Sequence, residues 1–88
     1  MKIVSHKTNH SRSYCITPDG QKYRSIDVYR SKELGSDEWK SATVSWSSIG
    51  SVEPIEAEQF AQGILRAVKI ARELNTGIEP AITEEEKV

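Results

Sequence analysis

No run in this 88-residue sequence approaches the roughly 18 consecutive apolar residues that a membrane-spanning helix needs. The opening MKIVSHKTNH has no apolar core of the kind that directs secretion. Cysteine is nearly absent too: Cys15 stands alone, which excludes an intrachain disulfide and suits a reducing compartment. These absences predict a cytoplasmic chain with no membrane partner. Neither sign of charge is in excess, with 12 basic and 13 acidic side chains and a net charge of −1, and no internal repeat is visible.

What is present is ordinary for a globular chain, 36% hydrophobic and 28% charged, and a chain this short builds one core. Charge is distributed unevenly along it. Residues 1–40 carry eight basic against five acidic side chains, and residues 41–88 carry four against eight. A mildly basic first half is therefore joined to an acidic second half.

The first half reads as strands broken by turns. Lys2–Thr8, Ser13–Thr17, Tyr23–Arg30 and Trp39–Ser48 are the candidates, and Pro18-Asp19-Gly20 supplies a turn between the second and third. Successive strand side chains point to opposite faces. Ile26 and Val28 therefore share one face, and Tyr23, Ser25, Asp27 and Tyr29 the other. Ala42, Val44 and Trp46 likewise oppose Ser41, Thr43, Ser45 and Ser47, and Tyr14 and Ile16 oppose Ser13, Cys15 and Thr17. One face is apolar and the other rich in hydroxyls.

A helix should follow from Pro54 to about Asn75. Proline is tolerated at the first helical position, Glu56 and Glu58 suit the positive N-terminal end, and Thr76-Gly77 provides a stop. Ser51 or Glu53 would cap it. Helical spacing makes Phe60, Ile64, Ala67, Val68, Ala71 and Leu74 the stripe that lies on the sheet. The expected fold is α+β, a four-stranded antiparallel β-meander packed against one long C-terminal helix. It occupies residues 1–75, with a mobile acidic tail over 76–88.

The helix has apolar residues beyond its stripe, which gives two readings of Gly63, Leu65 and Ile70. They form a homodimer interface, with Gly63 allowing close backbone approach, or Leu65 and Ile70 pack beneath the N-terminal strand or the returning tail. His6, His10 and Cys15 are the only metal candidates, and in an extended strand the two histidines stand about 13 Å apart. No serine sits in a GxSxG elbow and no histidine and acid are spaced as a triad, so neither an enzyme nor a cofactor is expected.

The segments YRSIDVYRS and VSWSSIGSVEPIEAEQF resemble, respectively, the central strand and the strand-to-helix step of the positive-cofactor family of single-stranded-DNA-binding transcriptional coactivators. That resemblance implies a homodimer and a basic, aromatic strand surface carried by Tyr23, Arg24, Tyr29 and Arg30. The lysine-glycine step of that family's last strand reads Ser48-Ile49-Gly50 here. Two functional classes follow. The leading expectation is a small non-enzymatic protein-interaction factor, such as a phage or mobile-element accessory protein, binding a partner through its polar sheet face or edge. Its contact residues would be Tyr23, Arg24, Tyr29, Arg30, Thr43 and Ser45. The alternative is a homodimeric module for single-stranded nucleic acid, in which tyrosines stack on bases beside phosphate-binding arginines.

Overall fold

A computed structural model describes residues 1–21 and 24–83. Four strands, β1 (Lys2–Lys7), β2 (Ser11–Thr17), β3 (Ile26–Ser31) and β4 (Thr43–Trp46), precede one helix, α1 (Pro54–Asn75). The strands pair antiparallel in the order β1-β2-β3-β4. Each strand is thus hydrogen-bonded to its sequence neighbour, as short connections favour. This is the α+β meander-and-helix arrangement that the alternation and the helical spacing predict.

Register sets the faces. Ile3 lies opposite Ile16, Ile16 opposite Ile26, and Ile26 opposite Trp46; Ser5, Tyr14, Val28 and Val44 form the next row. Ile3, Tyr14, Ile16, Ile26 and Val28 are fully buried against Phe60, Ala67, Ile70, Ala71 and Leu74 of α1. Each such side chain contributes about 1.5–3 kcal/mol by leaving water.

β1 stops at Lys7 and β2 starts already at Ser11, while β3 and β4 are both shorter than the alternation suggests. β3 begins at Ile26, and Tyr23 falls outside the described residues. β4 is only four residues long because its lead-in is held elsewhere. Asn75 Oδ1 accepts the Ala42 N–H at 2.7 Å, and Trp39 is drawn onto a group of cations. Trp46 keeps the parity expected of it but is 50% exposed, on the outer strand of the sheet.

The helix is rotated from the expected stripe. Gly63 and Ile70 are buried with Phe60, Ala67, Ala71 and Leu74, while Ile64 and Val68 are only half-buried. The cause is Gly63. A Cβ there would stand 2.8 Å from both Ile26 Cδ1 and Pro18 Cγ, so only glycine lets this flank descend onto the β2 end of the sheet. Glu53, not Ser51, occupies the N-cap, and its side chain makes no capping bond. At the other end Gly77 has φ 78°; its N–H donates to Leu74 O at 3.1 Å, and Ile78 N–H to Glu73 O at 2.9 Å. This is the Schellman pattern that terminates helices at a left-handed glycine.

The segment after the helix is not a free tail as far as Thr83. Pro80 is buried, Ile82 packs against the core, Arg66 Nη2 donates to Ala81 O at 2.9 Å, and Lys7 pairs with Glu79. The helix backbone lies close to β2, β3 and β4, whereas β1 is reached through the buried Ile3 side chain and is tied to the returning segment by the Lys7–Glu79 pair. Residues 84–88, the acidic end, lie outside the described residues.

Candidate functional site

The side of the sheet away from α1 is open. Its rows, read across the register, are Lys2 and Thr17; Val4, Cys15, Asp27 and Ser45; then His6, Ser13, Tyr29 and Thr43. Asp27, Tyr29, Thr43 and Ser45 are exposed. Thr43 Oγ1 donates to Tyr29 O at 3.4 Å, a cross-strand contact that helps order this end. Burial pushes the Cys15 thiol above its ordinary pKa, and the neighbouring Asp27 carboxylate pushes it further, against a lowering hydrogen bond from Ser25. Both effects favour the protonated thiol of Cys15 at neutral pH.

The expected contact residues other than Tyr23, which lies outside the described residues, do not share one surface. Tyr29, Thr43 and Ser45 stand together on the open face. Arg24 and Arg30 stand on the helix side: Arg24 Nη1 donates to Gln21 Oε1 at 2.7 Å and pairs with Glu56 Oε2 at 3.3 Å, while an Arg30 Nη1 proton goes to Leu74 O. Parity explains the split, since positions 24, 26, 28 and 30 follow the buried Ile26 and Val28. Tyr29 and the two arginines that a base-stacking surface would combine are separated by the thickness of the sheet.

The three residues considered for a dimer interface are also divided. Gly63 and Ile70 are consumed by the core of the single chain, for the packing reason given above, whereas Leu65 is 62% exposed on the outward side of α1. His6, His10 and Cys15 form no common cluster, and among the described residues no group of three or more His, Cys, Asp or Glu side chains converges. No helix among the described residues is long and apolar enough to cross a membrane.

The two sheet edges differ sharply. β1 presents Lys2, His6 and Lys7 along six residues. β4 presents Thr43, Val44, Ser45 and Trp46, within an uncharged stretch from Ser41 to Val52. Among the described residues β4 pairs with β3 on one side only, so a row of its N–H and C=O groups faces outward. The helix flank beside it is apolar. The Asn75–Ala42 hydrogen bond identifies that flank, and helical spacing places Ala57, Ala61, Ile64 and Val68 on it. Comparison with protein-family models, curated proteins and solved structures finds no match to this chain.

Sequence reasoning missed Trp39 as anything but a strand residue, and missed the contrast between the edges. The edge contrast was legible in principle, since twelve residues from Ser41 to Val52 carry no charge in a chain that is 28% charged.

Proposed function

We propose that this chain is a non-enzymatic protein-interaction factor that accepts an extended segment of a protein partner along β4. The supporting observation is the unpaired, uncharged β4 edge beside half-exposed Trp46. Stable monomers usually protect a sheet edge with lysines, bulges or a covering loop. β1 has lysines; β4 has no charge of its own. Strand addition draws affinity from main-chain hydrogen bonds and selectivity from alternate side chains. Here Val44, Trp46 and the Ala61–Ile64–Val68 flank would receive the partner's apolar side chains, while Thr43 and Ser45 meet its polar ones. The partner is therefore an uncharged, β-prone segment with period-two alternation.

The reading is tested by selecting binders from a displayed library of extended peptides. Selected peptides should alternate apolar and polar residues and should slow amide exchange at Thr43–Trp46, and Ser45→Lys should abolish their binding while leaving the fold intact. Binders that protect no β4 amide, or that bind the Ser45→Lys protein equally well, would overturn it. If sedimentation shows that the chain alone self-associates and Ser45→Lys prevents it, the occupant is a second copy rather than a foreign segment.

A further inference from the structure

At the end of the sheet nearest the helix C-terminus, the helix side carries a row of cations across three strands. Lys7 lies opposite Arg12, and Arg12 opposite Arg30. Like charges placed directly across a ladder repel, so such a row needs compensation. Part of it is visible. Lys7 pairs with Glu79, Arg12 Nη1 donates to Thr8 O and to Ser11 O, the latter at 2.8 Å, and Arg30 Nη1 donates to Leu74 O at the negative end of α1. The rest comes from Trp39, whose indole lies 4.8 Å from Arg12 Cζ, 5.4 Å from Arg30 Cζ and 4.9 Å from Lys32 Nζ. Three cations on one ring exceed what a single cation–π contact satisfies.

The compensation is incomplete. Among the described residues Arg12, Arg30 and Lys32 meet no carboxylate, and the buried Arg30 Nε makes no hydrogen bond. Beside them lies a cavity of about 210 Å³ lined by Arg12, Arg30, Trp39, Leu74, Ile78 and Glu79. That is smaller than the roughly 300 Å³ at which pockets for drug-sized molecules begin. It suits one compact anionic group.

We propose that this cradle binds a phosphate dianion, either free or as a simple monoester. A phosphate carries about −1.5 to −2 at neutral pH, which meets the local excess better than one carboxylate does. Paired guanidiniums offer planar donors suited to its oxygens. Glu79 also lines the cavity, and its pairing with Lys7 offsets its repulsion of the incoming anion. The site is independent of the β4 edge and lies at the far end of the helix side from Trp46.

The test uses the full chain carrying Trp46→Phe, which leaves Trp39 as the one indole reporter. Inorganic phosphate and a nucleoside 5′-monophosphate are titrated at constant ionic strength made up with sodium chloride. A saturable change in Trp39 emission is expected, and the tighter of the two ligands shows whether the group is bound free or esterified. Arg12→Gln removes a guanidinium that lines the cavity and should weaken binding about tenfold, while Lys32→Gln, at a side chain that sits over Trp39 outside the lining, should weaken it less. A signal that sodium chloride reproduces would overturn the proposal. So would a folded Arg12→Gln protein that binds as tightly as its parent, since the anion would then be held outside the cavity that Arg12 lines.

Discussion

The two edges of this sheet solve the same problem differently. β1 is six residues long, carries lysine at both ends, buries Ile3 fully in the core, and is tied to the segment that returns from the helix by the Lys7–Glu79 pair. β4 is four residues long and uncharged, and α1 covers it only in part. The difference teaches where a small domain puts its stability and where it leaves surface for use. Ile3, on an outer strand, is as buried as Ile26 in the middle of the sheet. Trp46, the largest side chain on the other outer strand, is half in water.

That contrast can be broken most directly by truncation. Ile3→Ala should cost about 3 kcal/mol in urea unfolding, because a sealed cavity would be left behind. Val44→Ala should cost about 1 kcal/mol, since part of that side chain already meets solvent. Equal losses at the two positions would mean that β4 is as well covered as β1. A second comparison sets one helix flank against the other. Gly63→Ala adds a methyl where Pro18 and Ile26 leave no room, and should destabilise by about 1–2 kcal/mol despite alanine's better helix propensity. Ala61→Leu, on the exposed flank beside β4, should change stability by no more than about 0.5 kcal/mol.

The smallest expected effect concerns Cys15 on the open face. Its thiol ionises at higher pH in the folded chain than in the unfolded one, so folding stability falls as pH rises above the ordinary thiol pKa of about 8.5. Cys15→Ser should remove that increment from a melting-temperature profile. Alkylation of Cys15 at neutral pH should be slow, and Asp27→Asn should accelerate it by removing the second cause of the shift. An alkylation rate unchanged by Asp27→Asn would show that burial alone holds the proton.

Much of the architecture was legible from pattern. Period-two alternation around Ile26–Val28 and Tyr14–Ile16 assigned the buried face, and proline at one end with glycine after the other bounded α1. The candidate site was legible only in part. Tyr29, Thr43 and Ser45 followed parity to the open face, but Arg24 and Arg30, expected beside the tyrosines, follow the parity of Ile26 instead. Their long side chains then reached α1, where Glu56 and the Leu74 carbonyl hold them. Trp39 could not be placed from its neighbours in sequence, because the cations it meets come from β2, from β3 and from the residue just after β3.

Local sequence by itself determined the number and order of the elements, the sidedness of each strand and the limits of the helix, because these depend on φ/ψ preference and on spacing along the chain. Tertiary structure alone decided which flank of the helix went down, which edge was left open, and where the cations of the helix side converged. Those outcomes turn on contacts between residues far apart in sequence: the missing methyl of Gly63 against Pro18, the returning segment against Lys7, and Trp39 against Arg12.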